Sequence, residues 1–224
     1  AAALHNARAA AERSDREILI ALDVGPTGKL LAPYGDLPFE SAVEIFAATV
    51  RAGVRHGADL ILIETMNDSY ETKAALLAAK ENSDLPVIVS NAYGEDGKLL
   101  TGADPAAMVA MLEGMGADAI GVNCSLGPKQ LAPIVEQYRT LSSLPVLWMP
   151  NAGLPRIHQL SADNPARGKA EIRCFVNDAR AFSTKLKSYL FHPRSLRYHQ
   201  SGHDASSKRY FINFSGCNQS IPNF

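Results

Sequence analysis

From residue 18 onward, short runs that are apolar throughout alternate with longer stretches in which apolar residues return every three or four positions. Ile18 to Val24 is the first run, and because it ends at Gly25-Pro26-Thr27-Gly28 it reads as a buried strand followed by a turn. Between Phe39 and His56 the residues Val43, Phe46, Ala47, Val50 and Val54 recur at helical steps, which predicts an amphipathic helix that Gly57 stops. Leu60 to Ile63 is a second strand, closed by Glu64. The same rhythm predicts helices over 70–82, 105–115 and 129–141 and strands over 87–90, 119–123 and 146–149, so five strands alternate with four helices. Ahead of them, Ala1 to Arg16 mixes Ala with Arg, Glu and Asp at helical spacing and lacks the apolar centre of a secretory signal.

Strands that are apolar at every position are buried on both faces, and their alternation with helices indicates a parallel β/α architecture with right-handed crossovers. A doubly wound sheet and a barrel both satisfy this. Two features favour the barrel: polar residues sit at the strand ends (Asp23, Glu64, Asn91, Asn123-Cys124 and Asn151), and no dinucleotide fingerprint follows the first strand. In a barrel such ends converge on one face, where the chemistry lies. A barrel needs eight strands over typically ~250 residues, whereas five are read here. The expectation is an α/β fold of the incomplete (β/α)8 kind. After Ile157 the rhythm stops, apart from a short helical stretch around 176–190.

Composition narrows the class. A chain of 224 residues, 46% hydrophobic and 20% charged, can bury one sizeable core. No apolar run approaches the ~20 residues of a membrane span. Cys124, Cys174 and Cys217 are too scattered for a disulfide framework, which suits a reducing compartment, so a cytoplasmic location is expected. Charge divides the chain: residues 1–155 hold 11 Lys and Arg against 19 Asp and Glu, and residues 156–224 hold 11 against 4. Four of the six histidines and nine of the 16 aromatics crowd into that second part. A basic tail can signal nucleic acid, but the crowding points instead to a change of sequence origin. Residues 1–156 are therefore read as the domain, and 157–224 as an unmatched basic tail, frame-shifted or disordered.

Gly25-Pro26-Thr27-Gly28-Lys29 is not a phosphate loop, because Asp23 and Leu30 occupy places where that motif needs Gly and Ser or Thr; a turn requiring glycine accounts for it. Glu64 is either a carboxylate poised for an ammonium group or an exposed strand-end acid. Cys124 is open between a nucleophile, a zinc ligand and an inert buried thiol, with no His or second Cys near it in sequence. Asn151 can cap a helix, bond a substrate or make a turn.

Four strings at four strand ends resemble, in order and spacing, the homocysteine S-methyltransferase family. They are Asp23-Val24-Gly25-Pro26-Thr27-Gly28-Lys29-Leu30, Glu64-Thr65-Met66-Asn67-Asp68, Gly121-Val122-Asn123-Cys124-Ser125-Leu126-Gly127-Pro128 and Pro150-Asn151-Ala152-Gly153-Leu154-Pro155. The likeness runs from about Leu4 to Arg156 and is greatest to the N-terminal homocysteine-binding module of cobalamin-dependent methionine synthases. It implies a (β/α)8 barrel in which zinc, held by three cysteine thiolates, keeps the homocysteine sulfur ionised for attack on an activated methyl group, giving methionine. It implies that Cys124 is a zinc ligand, that Glu64 contacts the amino-acid end of homocysteine, and that Asn151 lies beside the metal. Methylcobalamin is the implied donor, carried by a cobalamin module elsewhere. The family's two opening strands and its closing Gly-Gly-Cys-Cys-Gly motif have no match here, and the ligand role does not carry over to Cys174 or Cys217. The expectation is strands three to seven of eight, with activity impaired by truncation. The alternatives are a non-catalytic barrel remnant or small-ligand-binding subunit, and a barrel with a nucleic-acid-binding extension.

Overall fold

A computed structural model of the chain describes residues 1–15 and 17–151. The basic tail and the helix expected around 176–190 lie outside the described residues. In chain order the elements are α1 (Ala2–Ala11), β1 (Ala21–Val24), α2 (Phe39–Arg55), β2 (Leu60–Met66), α3 (Ser69–Asn82), β3 (Val87–Asn91), α4 (Pro105–Gly114), β4 (Ala119–Asn123), α5 (Pro128–Leu141) and β5 (Val146–Met149). Helix starts follow local chemistry. The Asp68 and Asp104 side chains accept from the amides of Glu71 and Ala107, and Pro residues open α4 and α5, where a missing N–H costs nothing.

The five strands form one parallel sheet in the order β1-β2-β3-β4-β5. A doubly wound sheet reverses its strand order partway; here each strand lies beside its predecessor, the order of a barrel wall. Successive strand residues point to opposite faces. One face carries Ile61, Ile63, Val87, Val89, Ile120 and Val122 into a core shared with Phe46, Leu76, Met108, Leu112 and Leu131 of the helices. Within that layer the buried phenols of Tyr93 and Tyr138 meet edge to face, with their oxygens 2.8 Å apart. The opposite face carries Asp23, Leu62, Glu64, Ser90, Gly121 and Asn123.

Three details differ from the sequence expectation. The first strand starts at Ala21 and not at Ile18; just ahead of it the Ile20 N–H bonds the Asp59 carboxylate (2.6 Å) and the Asp59 N–H bonds the Ile20 carbonyl (2.8 Å). The helical spacing near the N-terminus produces a fifth helix, α1, whose Leu4 packs with Ile20 and Ala58. The second strand does not close at Glu64 but continues to Met66 through an irregularity in its pairing with β3.

A repeat underlies the geometry. Leu60 and Ala119 begin β2 and β4, Ser69 and Pro128 begin α3 and α5, Asn82 and Leu141 end those helices, and Val87 and Val146 begin β3 and β5; every pair is displaced by 59 positions. Gly57-Ala58-Asp59 recurs as Gly116-Ala117-Asp118, and Leu85-Pro86-Val87 as Leu144-Pro145-Val146. The devices recur too. The Asp118 carboxylate accepts from the Val87 N–H (2.8 Å) and pairs with Lys80 (2.9 Å), as Asp59 does with Ile20 and Arg8 (2.8 Å). Ser83 and Ser142 each accept, through the hydroxyl, from the amide two residues on (3.0 Å in both). All of these tie down the N-terminal ends of the strands, away from the ends that carry the candidate chemistry.

Candidate functional site

The C-terminal ends of β2 and β4 hold every non-glycine residue with positive φ among the described residues: Thr65 (61°), Cys124 (59°) and Ser125 (57°). For β-branched Thr65 this conformation is a marked outlier, and such strain persists only where surrounding bonds impose it. Positions 65 and 124 are equivalent in the repeat, as are Glu64 and Asn123. Thr65, near the end of β2, and Cys124, just after β4, therefore hold equivalent αL places.

At β2 the register passes from Ile63↔Val89 directly to Met66↔Asn91, so Glu64 and Thr65 together oppose Ser90 in a bulge. A side chain of the next strand but one fastens it. The Asn123 Oδ1 accepts from the Thr65 N–H (3.1 Å) and the Ser90 hydroxyl (2.9 Å), and its Nδ2 donates to the Thr65 Oγ1 (2.7 Å). Ser90 and Asn123 are buried.

Glu64 lies on the face opposite the helices, partly buried, near Asp23 of β1. Desolvation first, and the Asp23 charge second, raise the Glu64 carboxyl above its ordinary 4.5. Asp23, although exposed as a residue, is itself raised above 3.8 by desolvation. Two carboxylates short of water form an electronegative spot suited to an ammonium group.

Cys124, a free and partly exposed thiol, is displayed by a turn pinned at three points. Its N–H donates to the Met149 carbonyl (3.1 Å), its carbonyl accepts from the Leu126 N–H (2.6 Å) to close a γ-turn about Ser125, and the Leu126 carbonyl accepts from the Asn151 N–H (3.1 Å). The turn after β4 and the segment after β5 are thus bonded side by side, which brings Cys124 and Asn151 to neighbouring strand ends. Gly121 allows this approach, since a Cβ there would fall 2.1 Å from the Leu147 carbonyl oxygen.

Asn91, expected with the other strand-end polar residues, does not join them. Its buried amide donates to the Met66 carbonyl and the Thr72 hydroxyl (3.1 Å each), on the helix side of the sheet. Glu71 was not anticipated. Although buried, it accepts from both the amide (2.7 Å) and the hydroxyl (2.5 Å) of Thr27, tying the turn after β1 to the start of α3. Asp68-Ser69-Tyr70-Glu71 has the spacing of a capping box, the one sequence signal that marks this acid.

No three His, Cys, Asp or Glu side chains group as a metal site among the described residues, and Cys124 is the one cysteine there. The described residues supply a single thiol and do not by themselves make a three-thiolate zinc centre. No described helix is long and apolar enough to cross a membrane.

The chain is 30% identical over 147 residues to the methionine synthase of Mycobacterium leprae (strain TN), covering 63% of this chain and 12% of that one. It is 29% identical over 156 residues to the methionine synthase of Mycobacterium tuberculosis (strain ATCC 25618 / H37Rv), covering 67% and 13%. It therefore spans about an eighth of the curated relatives it matches. Among solved structures, the apo form of the homocysteine methyltransferase MmuM from Escherichia coli superposes with a TM-score of 0.54 at 23% identity, covering 66% of this chain and 54% of that one. This likeness supports the barrel-wall reading of the sheet. The sequence model of the homocysteine S-methyltransferase family matches residues 1–182, well over half the chain, and together with the ordered strand-end motifs this places the chain in the homocysteine S-methyltransferase family.

Proposed function

We propose that this chain forms part of the homocysteine-binding barrel of a methyltransferase of the methionine-synthase kind, made of strands three to seven of eight. The observation that supports it most is the joint placement of Glu64, Cys124 and Asn151 at the C-terminal ends of β2, β4 and β5, each on bonded or bulged backbone. In this reading Glu64, with Asp23 behind it, receives the ammonium group of homocysteine. Cys124 offers its sulfur as a metal ligand, and Asn151 supplies polar contacts beside it. Zinc, held by Cys124 with further ligands that neither Cys174 nor Cys217 is assigned to supply, would keep the homocysteine sulfur ionised at neutral pH. Methylcobalamin, carried by a separate module, is the proposed methyl donor. The reaction is expected in the cytoplasm.

The single thiol among the described residues favours a second reading, a barrel portion that binds a small amino acid without turnover. Calorimetric titration with L-homocysteine, zinc content, and methionine formation from methylcobalamin separate the two. Binding that Glu64→Gln weakens, zinc that Cys124→Ser removes, and measurable turnover support the methyltransferase. Binding without zinc or turnover supports the second reading, and no binding at all overturns both.

A further inference from the structure

We infer that Asn123 is a positioning residue for the amino-acid end of the site, clamping the β2 bulge that aims Glu64; this rests on the functional reading above. The amide spans three strands. Both lone-pair directions of Oδ1 are used, one by the Thr65 N–H and one by the Ser90 hydroxyl, while Nδ2 reaches the Thr65 Oγ1. Thr65 is thus gripped at backbone and side chain by one planar group, a two-point hold that fixes rotation as well as distance. A hold of this kind is needed because a β-branched residue at φ 61° would otherwise relax toward the extended region. Relaxation would remove the extra residue from the bulge and turn Glu64, its immediate neighbour, away from Asp23.

The repeat isolates what the clamp adds. At the equivalent place in the second unit, the αL residue Cys124 is held through its backbone, by the Met149 carbonyl and the Leu126 N–H. The first unit uses a side chain instead, and that side chain comes from the position equivalent to Glu64. One strand-end position therefore does two jobs: in β2 it carries the charge, and in β4 it carries the amide that orients the charge. Asn123 also directly precedes Cys124, so its buried bonds fix the point at which the thiol-bearing turn leaves the sheet.

Three variants of the full chain, Asn123→Ala, Glu64→Gln and the pair combined, test this by calorimetry with L-homocysteine as the probe. Amide exchange at Thr65 is followed alongside by NMR. Asn123→Ala is expected to speed Thr65 exchange and to weaken homocysteine by roughly tenfold, the size of one lost buried hydrogen bond. Because Asn123 acts through Glu64, the double variant should bind within about twofold of Glu64→Gln alone, whereas independent effects would multiply. Unchanged affinity in Asn123→Ala, or multiplying losses, overturns the inference. Should Asn123→Ala not fold, Thr65→Val removes one contact with little change of volume and enters the same cycle, with the same two outcomes deciding. If the unaltered chain binds no L-homocysteine, the functional reading fails. The clamp is then decided by exchange: faster at Thr65 in the variant upholds it, and unchanged exchange overturns it.

Discussion

Glu64 and Asp23 carry a cost that their proposed role explains. Both carboxyls are raised relative to their ordinary values, Glu64 by desolvation and then by Asp23, Asp23 by desolvation. For an acid raised in the folded state, the folded chain binds more protons than the unfolded one within the shifted window. Stability is therefore lost as pH rises from the ordinary carboxylate range through the raised values, and it stays lower at neutral pH. Glu64→Gln should accordingly raise Tm at pH 7 by about 1–3 °C, while weakening L-homocysteine by about 1.5–3 kcal/mol, the value of a hydrogen bond to a charged group. A Tm that falls, or an affinity that holds, would remove Glu64 from the site. In the unaltered chain, homocysteine affinity should drop with pH through a midpoint above 4.5, since only the ionised carboxyl attracts the ammonium group. Ser125 offers a contrasting test. It is exposed at φ 57°, so Ser125→Gly relieves the left-handed strain and, after the added freedom of the unfolded chain is set against it, should stabilise by about 0.5 kcal/mol in urea denaturation.

Between elements, the sheet relies on two unlike devices. At the N-terminal strand ends Asp59 accepts from the amide just before β1 and Asp118 from the first amide of β3, and each pairs with a helix cation. Asp118→Ala leaves the Val87 N–H without its carboxylate and should cost about 1–2 kcal/mol, with homocysteine affinity unchanged because the lesion lies at the far end of the strands. At the β4–β5 seam, Gly121→Ala places a methyl against the Leu147 carbonyl. Backbone cannot yield as a flexible side chain does, so the strands must part, at about 2–4 kcal/mol. This change should also loosen the Cys124 turn, whose amide is bonded to Met149 on the displaced strand. Faster reaction of Cys124 with a thiol reagent, measured beside Asp118→Ala as the control, checks the distinction; equal rates in the two variants would contradict it.

Across the molecule, the proposed site and the Asp59 and Asp118 devices lie at opposite strand ends, a division that a barrel wall would share. Apolar runs and helical spacing made the nine elements from β1 to β5 legible to within a few residues, since burying a strand on both faces or a helix on one constrains the residue type at each position. The strand-end polar residues were legible as positions and the four motifs as a family, but not their division of labour. Asn91 and Asn123 look alike in sequence, each closing a strand, yet Asn91 turns to the helix layer while Asn123 crosses to β2. Strands apolar on both faces do not reveal which face meets the helices, and the register Asn91↔Val122 sets Asn91 and Asn123 on opposite faces. Glu71 hides for a related reason, because its partner Thr27 is 44 positions away and capping-box spacing announces only a local bond. The sequence by itself determined the alternation of elements, the helix starts and the family, all of which depend on neighbours within a few residues. Only the tertiary structure decided the sequential strand order, the left-handed turns at Thr65 and Cys124, and the amide joining them, because each depends on bonds between strands brought together by the crossover helices.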